Sequence, residues 1–491
     1  HRVTVYLRLN DPYSYLLVQV LDELAERYPL DYEFRTVLNL QQDMYPAPSL
    51  WEKNAWVDGA YLAGLYHLHF PVKPPLSTAV RDHSLSAQLL HWELQPGYLA
   101  NARQLFQAYW QGDDAAIARL VDPVIVEHAE CYRHHLQANE TRLQTAGHYL
   151  SAMLHYGGEW YWGIDRLEHL ERRLNGMGLD RYGDCSVRFD RGHRDFCRQS
   201  VDNVADNAPL QLYWSIRSPY SYLCLLRARQ LAEHYGLSLQ VKPVLPMVMR
   251  RMQVPRTKGL YILRDAKREA DKYGIDFGLV ADPLGAGVER CYSLLDFARS
   301  QHRELDYLES YARGVWAEGI RSDTDAGLQR LVERAGLDWS RARPLLGDDS
   351  WRMWAQRNLI DLYAEDLWGV PSMVYAGKRF FGQDRIDAIE RSILGDFSPN
   401  DFITEDRIRE QTTYELSANL SYDLSSNSSA RLNGLWSQNN DPTSVFRTIT
   451  DLTVTPNLLK IEREDIPGEQ DNGEIGGDDE QSFGNGSRSK A

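Results

Sequence analysis

Short apolar runs alternate with longer amphipathic stretches over the first 400 residues, and this order predicts strands and helices. Two β-type runs, Val3 to Leu9 and Leu30 to Leu38, flank about four helical turns. The same order returns in the runs Leu210 to Ile216 and Leu237 to Val244. A strand, a helix and a strand at this spacing predict a βαβ unit with a parallel strand pair at the start of each half.

The middle of each half has the periodicity of helices and little strand signal, which in the second half lasts until about Ser372. Residues 370–382 then predict a strand, a tight turn at Ala376-Gly377 and a second strand. Residues 384–394 predict an amphipathic helix that closes the half. We therefore expect an α/β core with an inserted helical region in each half.

The pattern changes near the end of the chain. Residues 414–424 alternate strictly between apolar and polar, residues 425–429 predict a turn, and residues 430–438 predict a return strand. From Ile461 onward the sequence is acidic, rich in glycine and poor in large apolar residues, which is typical of disorder. We expect a tail of low order that contains a segment resembling a β-hairpin.

An internal repeat organises the chain. Residues 12–16 (PYSYL) recur as residues 219–223 at an offset of 207, and residues 163–166 (GIDR) parallel residues 382–385 (GQDR). These matches predict a tandem duplication. The expected boundaries are a first half at 1–179, a linker at 180–209, a second half at 210–396 and a tail at 397–491.

Composition and charge exclude several classes of protein. The 491 residues are 43% hydrophobic, enough apolar material for two or three domains. The net charge is −15, of which −9 lies in residues 401–491, a poor match to nucleic acid or an anionic membrane surface. No apolar run approaches 18 residues, so we expect no membrane contact by the main body.

The cysteines argue against a disulfide framework or a dithiol centre, because they are five in number, scattered, and without a C-x-x-C pair. This usage favours a cytoplasmic location. Cys185, His193 and Cys197 have a spacing that could suit a metal, but zinc ligands usually come as close pairs, so we assign no metal site. The histidines of the first half are expected to be surface or core residues.

Ser218 is the first candidate for chemistry. It stands between the first strand and the first helix of the second half, where a serine before Pro219 suits a helix N-cap. A purely structural interpretation has weight, because Asp11 before Pro12 would cap equally well. Function is favoured by the combination with Val370-Pro371 and with residues 382–385.

Four blocks in the second half together resemble the bacterial disulfide oxidoreductase family DsbA, which has a thioredoxin-like fold with an inserted helical domain. The resemblance is strongest to its glutathione-using branch, the kappa-class glutathione transferases and 2-hydroxychromene-2-carboxylate isomerases. It covers residues 210–394. The blocks are residues 218–222 (SPYSY), 254–261 (VPRTKGLY), 369–372 (GVPS) and 381–385 (FGQDR).

The resemblance implies two tandem thioredoxin-like domains, of which 1–179 is the degenerate copy. It also implies that Ser218 replaces the reactive cysteine of the redox members and that its hydroxyl binds the sulfur of glutathione, with Pro219 and Tyr220 beside it. A thiolate at a helix N-terminus meets free N–H groups, so its pKa is lowered. Serine cannot exchange disulfides, and Cys224, about two turns into the helix, is expected to be packed.

The other glutathione-binding positions follow from the same resemblance. Pro371 is the expected cis-proline, with the alternative of a plain edge-strand proline, and it would leave the Val370 backbone to pair with the tripeptide. Gln383 and Asp384 would hold the γ-glutamyl end, Asp384 also as a possible cap of the last helix. Lys258 matches a basic residue near glutathione, with a solvated lysine as the alternative.

The first half departs from this pattern at two places. Asp11 stands where Ser218 stands, and Ala152 falls where Pro371 falls. A carboxylate beside the sulfur would repel a thiolate. We therefore expect a structural or regulatory copy, which could pack on the second half as two subunits of a dimer would.

The resulting hypothesis is a glutathione-dependent transferase or isomerase that acts on a small electrophilic or aromatic substrate. The alternative, favoured by the altered first half, is a catalytically silent thioredoxin-like binding or scaffold protein. A protein-disulfide oxidoreductase is the third interpretation.

Overall fold

The protein is described by a computed structural model that covers residues 1–190, 208–252, 254–395, 414–425, 428–438 and 445–454. His193, Cys197 and the acidic segment from Ile461 onward lie outside the described residues. The chain forms two compact units, residues 1–404 and residues 405–491, and each is described by itself.

The first half contains two strands at its start, two near its end and helices between them. Its strands are β1 (Arg2–Leu7), β2 (Asp31–Thr36), β3 (Met153–Tyr156) and β4 (Glu159–Trp162). Its helices are α1 (Pro12–Arg27), α2 (Pro48–Tyr66), α3 (Ala79–Trp92), α4 (Tyr98–Gln111), α5 (Asp114–Leu120), α6 (Pro123–Glu127), α7 (Arg133–Thr145) and α8 (Leu167–Gly176).

The second half has the same order of elements. Its strands are β5 (Leu210–Trp214), β6 (Leu239–Pro243), β7 (Ser372–Tyr375) and β8 (Lys378–Phe381). Its helices are α9 (Pro219–Tyr235), α10 (Arg256–Tyr273), α11 (Ala286–Ser293), α12 (Leu295–Ser300), α13 (Glu304–Ala317), α14 (Asp325–Arg334), α15 (Trp339–Ala342), α16 (Trp351–Ala364) and α17 (Ile386–Leu394).

Each half has a four-stranded sheet, and the two sheets have a similar pattern. The strand orders are β2-β1-β3-β4 and β6-β5-β7-β8, in which the first pair is parallel and the others are antiparallel. Leu212 on β5 pairs with Val241 on one side and Met373 on the other, and its side chain is fully buried. Polar residues interrupt the run, as Gln211 does between Leu210 and Leu212, and the apolar residues supply the buried positions of the strand. The predicted parallel pairs are confirmed.

Helices occupy the interval between the second and third strand of each sheet, α2 to α7 in the first half and α10 to α16 in the second. The expectation of a helical insertion in each half is therefore confirmed. Within the described residues, no helix combines the length and the apolar character needed to cross a bilayer.

The turn between β7 and β8 also lies where the sequence predicts it. Ala376 and Gly377 have φ angles of +47° and +74°. Two consecutive residues of positive φ are typical of the two-residue hairpin turn that matches the twist of antiparallel strands.

The start of the predicted linker is folded onto the first half. Phe189 is buried, and its carbonyl accepts a hydrogen bond from the Tyr66 hydroxyl at 3.1 Å. Its backbone N–H donates to the Glu171 carboxylate at 2.9 Å. The described residues 180–190 therefore extend the packed first half.

The two halves contact each other through α10. Tyr261 joins an apolar cluster that includes Tyr6, Met153 and Trp160 of the first half, and its ring meets that of His148 edge to face, with 4.4 Å between the centroids. Such a shared cluster removes apolar surface of both halves from water. The expected pairing of the halves is thus present within the unit 1–404.

The unit 405–491 contains an antiparallel sheet of three strands, β9 (Tyr414–Ser425), β10 (Ser428–Gln438) and β11 (Val445–Val454), with β10 in the middle. The predicted hairpin corresponds to β9 and β10. The third strand was not predicted, because residues 445–454 lack the strict alternation seen in 414–424.

Candidate functional site

Ser218 begins the site at the N-terminus of α9. Its backbone is extended, with φ −100° and ψ 114°, and its Oγ accepts a hydrogen bond from the Ser221 N–H at 3.1 Å. The predicted N-cap is confirmed. The hydroxyl also reaches the Val370 carbonyl, as donor, at 3.4 Å, and the residue is partly exposed. Ser218 therefore lies at a helix N-terminus and is accessible to a ligand.

Val370 and Pro371 face Ser218 from the start of β7. The peptide bond between them is cis, as the resemblance implied. The Pro371 carbonyl accepts a hydrogen bond from the Gly382 N–H at 3.0 Å. The Val370 N–H has no acceptor among the described residues. Backbone hydrogen-bonding capacity is therefore available next to Ser218.

A cavity of 590 Å³ opens between Ser218 and the first half. Ser218, Val370 and Pro371 line one side, together with the start of α10. The first half contributes aromatic residues to the lining, which are Tyr13, Tyr45, Trp51, Tyr149 and Trp162. The volume lies within the range of small-molecule sites, about 300–1,000 Å³.

Lys258 lies in this cavity on the first turn of α10. Its Nζ donates to the Met44 carbonyl of the first half at 2.5 Å and stands 5.7 Å from the centre of the Tyr149 ring. Burial lowers the pKa of Lys258 to about 8, while the nearby Asp43 acts in the opposite direction. Lys258 is partly buried and hydrogen-bonded to the first half, so it is not a freely solvated lysine.

Gln383 and Asp384 also line the cavity, and both are engaged in contacts. Gln383 Nε2 donates to Glu269 at 2.6 Å, whereas its Oε1 is buried without a partner among the described residues. Asp384 accepts from Arg166 of the first half at 2.8 Å. Asp384 does not cap the last helix as expected. It sits in a short 3₁₀ turn, and α17 begins two residues later with Arg385 at its N-cap.

Buried ion pairs cross between the halves at the lining of the cavity. Arg166 of the first half binds Asp265 at 2.8 Å, and Arg385 of the second half binds Asp165 at 2.7 Å and Asp58 through two nitrogens. Burial opposes the charge of Arg166, but Asp265 and its other carboxylate neighbours raise the pKa of the guanidinium well above its usual value. Both arginines therefore stay charged and join the halves.

Pro219 and Tyr220 complete the second-half side of the site. Pro219 is buried at the first position of α9, and Tyr220 donates its hydroxyl to Asp265 at 2.6 Å. Burial and the adjacent carboxylate raise the pKa of Tyr220 well above its usual value. Tyr220 is therefore a hydrogen-bond donor that fixes Asp265.

The corresponding start of α1 is closed. Asp11 is 1% exposed, and its carboxylate accepts from the N–H groups of Tyr13 and Ser14 at 3.3 and 3.1 Å. It also accepts from the hydroxyls of Ser14 at 2.7 Å and Ser151 at 2.9 Å. The Asp11 oxygens are used inside the fold, so they do not line the cavity.

The first-half aromatic residues and Arg166 are the functional candidates that sequence reasoning missed. One signal was available, since Trp51 and Lys258 are related by the same offset of 207 as the two PYSYL segments. Asp58 and Asp265 share that offset, and both line the cavity. Equivalent positions of both halves thus meet in one space.

The buried cysteines are outside this chemistry. Cys224 and Cys291 are buried, and burial raises the pKa of each thiol far above its usual value. A thiol of this kind is a poor nucleophile at neutral pH. The expectation that Cys224 is packed is confirmed.

Comparison with known proteins finds relatives that match part of this chain. A 2-hydroxychromene-2-carboxylate isomerase of Pseudomonas putida is 23% identical over 192 residues, which cover 38% of this chain and 93% of the relative. The isomerase of Sphingobium xenophagum is 23% identical over 195 residues, covering 38% of this chain and 97% of the relative.

Solved structures cover a similar share of the chain. The structure of a 2-hydroxychromene-2-carboxylate isomerase has a TM-score of 0.34 and 22% identity, covering 38% of this chain and 94% of that one. A cytosolic disulfide reductase DsbM from Pseudomonas aeruginosa has a TM-score of 0.30 and 15% identity, covering 38% and 100%. The family model of the DSBA-like thioredoxin domain matches residues 210–394. This part of the chain, which carries Ser218 and the cis-proline, is therefore a DSBA-like thioredoxin domain.

Proposed function

We propose that this protein is a cytoplasmic, glutathione-dependent isomerase or transferase of the kappa-class and 2-hydroxychromene-2-carboxylate isomerase type. One observation carries the proposal. Ser218 presents a partly exposed hydroxyl at the N-terminus of α9, beside the cis-proline and at the wall of a 590 Å³ cavity. The first half is a degenerate copy that lacks this arrangement.

The residues around Ser218 fit glutathione. The Val370 N–H, which has no acceptor in the described part of the chain, is available to a peptide carbonyl. The Gln383 Oε1, buried and without a described partner, is an acceptor for the γ-glutamyl ammonium. Asp384 contributes negative charge near that end, although Arg166 already binds its carboxylate. Lys258 adds a cation for a glutathione carboxylate.

Glutathione supplies a thiolate when it is bound. Ser218 can donate a hydrogen bond to the ionised sulfur, and the free N–H groups of the first turn of α9 favour negative charge there. Together these contacts lower the pKa of the thiol, because they stabilise only its charged form. Ser218 has no sulfur and Cys224 is buried, so disulfide exchange is the less favoured activity.

The substrate in this proposal is a small electrophilic or aromatic molecule. The relatives of residues 210–394 are isomerases of an aromatic carboxylate, 2-hydroxychromene-2-carboxylate. The aromatic side of the cavity suits a ring compound. That carboxylate is therefore the first substrate to assay.

The test is glutathione titration by calorimetry on the full chain, together with isomerisation of 2-hydroxychromene-2-carboxylate followed by absorbance. We expect Ser218→Gly to lower kcat/KM about 100-fold, since one hydrogen-bond donor to a developing charge is lost. Glycine at an N-cap changes stability by only a few tenths of a kcal/mol, so the fold is preserved.

Thr324→Gly is the matched control. Thr324 caps α14 in the same way, since its hydroxyl oxygen accepts a hydrogen bond from the Gly327 N–H at 3.1 Å. Thr324 does not line the cavity. Thr324→Gly should leave turnover unchanged. Equal losses in both variants would contradict a role of Ser218 in chemistry.

A silent binding or scaffold protein is the second candidate. The observation that favours it is the engagement of Gln383 and Asp384 in contacts with Glu269 and Arg166. An absence of heat at millimolar glutathione would overturn the enzyme proposal and support the scaffold.

A further inference from the structure

The first half, whose helix start at Asp11 is closed, forms one wall of the cavity at Ser218. This wall is aromatic. Trp51 lies on the first turn of α2, with the Tyr45 ring edge-on at 5.0 Å, and Trp162 packs on Tyr13 at 4.6 Å. Aromatic groups bury large apolar areas and prefer such offset or edge-on neighbours.

Trp51 differs from the tryptophan five residues later on the same helix. Trp56 is 7% exposed and packs on Phe70 and Trp110, with centroid distances of 4.8 and 5.9 Å. Trp51 is only partly buried and lines the cavity. Trp56 therefore stabilises the core of the first half, whereas the indole of Trp51 is left available to a ligand.

Two tyrosine hydroxyls at the cavity, one from each half, have no hydrogen-bond partner among the described residues. Tyr45 and Tyr261 line the cavity, and their hydroxyl oxygens are buried without a hydrogen bond among the described residues. Buried polar groups are nearly always paired in folded proteins. A ligand with an oxygen substituent on its ring could satisfy one of these groups while the ring contacts the aromatic wall.

We infer that the first half binds the planar part of the small-molecule substrate, with Trp51 as the main specificity-determining residue and Tyr45 and Trp162 beside it. The inference deepens the proposed function, because it gives the first half a role in the site of the second half. The expected ligand class is a planar aromatic compound that carries a hydroxyl or carbonyl oxygen.

The experiment measures binding of 2-naphthol by calorimetry to the full chain without glutathione. This neutral probe tests the wall and not the cations of the cavity. We expect Trp51→Ala to raise the Kd of 2-naphthol about tenfold, as lost aromatic contact implies, and Trp51→Phe to raise it less than about threefold.

Trp354→Ala is the matched control, since Trp354 is also partly buried and packs on Tyr292 at 5.5 Å, but does not line the cavity. The Kd of 2-naphthol for Trp354→Ala should equal that for the unmodified protein. An unchanged Kd in Trp51→Ala, with the circular dichroism spectrum preserved, would overturn the inference, as would a lack of 2-naphthol binding to the unmodified protein. If the protein binds 2-naphthol in this way but gives no heat with glutathione, the proposed function is contradicted and the inference about the first half stands.

Discussion

The starts of α1 and α9 show how one local design can give a closed site and an open one. Both follow a buried strand, both have an N-cap before proline, and both share the sequence PYSYL. Asp11 is 1% exposed and accepts four hydrogen bonds from its own half. Ser218 accepts one from its helix and keeps its hydroxyl partly exposed. The residue type at the cap and its neighbours therefore decide whether a helix N-terminus is available to a ligand.

The residue opposite each cap strengthens the difference. Ser151 donates its hydroxyl to Asp11, whereas Val370, at the equivalent position before β7, offers Ser218 only backbone groups. In the first half the oxygens are thus paired within the fold. In the second half, hydrogen-bonding groups remain for a bound molecule.

The largest expected effect concerns what joins the two halves. Arg385→Ala should lower the free energy of unfolding by about 3–5 kcal/mol, because Asp58 and Asp165 would be left buried without their cation. Urea unfolding followed by tryptophan fluorescence measures the change.

Arg343→Ala is the control for the loss of an arginine, since Arg343 is 66% exposed where it pairs with Asp325. Its unfolding curve should match that of the unmodified protein. If the two variants were equally stable, the crossed ion pairs would not hold the halves together.

The second prediction concerns the two N-cap residues. Replacing Asp11 should affect stability more, and replacing Ser218 should affect activity more. Asp11→Ala should cost about 2–3 kcal/mol of unfolding free energy, since several buried donors lose their acceptor. Ser218→Ala should cost about 1 kcal/mol, the usual value of one N-cap.

For turnover we expect the opposite order, with kcat/KM lowered about 100-fold in Ser218→Ala and retained in Asp11→Ala. Both are measured on the same preparations, by urea unfolding and by the isomerase assay. Loss of turnover in Asp11→Ala with full activity in Ser218→Ala would exchange the roles assigned to the two halves.

The smallest effect is a pH dependence at Lys258, the counterpart of Trp51. Folded Lys258 has a pKa of about 8 against 10.5 for an ordinary lysine. Between these values the unfolded chain binds more protons, so the stability contributed by this residue rises with pH in that window. The difference in unfolding free energy between Lys258→Met and the unmodified protein should therefore be about 1 kcal/mol more in favour of the variant at pH 7 than at pH 9.5.

The measurement is the difference in unfolding free energy between variant and unmodified protein at the two pH values. Lys73→Met, at an exposed position of the first half, should show no such trend. A difference for Lys258→Met that is independent of pH would mean that Lys258 is solvated in the folded protein.

Several elements of the site could be predicted from the sequence because they depend on near neighbours. The cap at Ser218 follows from serine before proline, and the β7–β8 hairpin follows from Ala376-Gly377 between apolar runs. The cis bond before Pro371 was inferred from resemblance. The cap proposed for Asp384 was wrong, because Asp384 lies inside a 3₁₀ turn and Arg385 holds the N-cap position of α17.

The contacts between the halves could not be predicted in this way. Lys258 donates to Met44, and Trp51 lines a cavity that Ser218 also lines. Nothing in the local sequence of these residues specifies such neighbours, because they are set by how two sheets and their helical insertions pack.

The sequence alone determined the order of elements, the repeat, the cap at Ser218 and the resemblance of residues 210–394, since periodicity, turn chemistry and motifs are local properties of the chain. Only the tertiary structure decided which polar groups are already paired. It closed Asp11, paired Asp384 with Arg166, partly buried Lys258 against Met44 and placed Trp51 of the first half at the cavity that Ser218 also lines. The physical reason is that burial and hydrogen-bond partnership arise from contacts between residues far apart in sequence, and these contacts decide what remains available to a ligand.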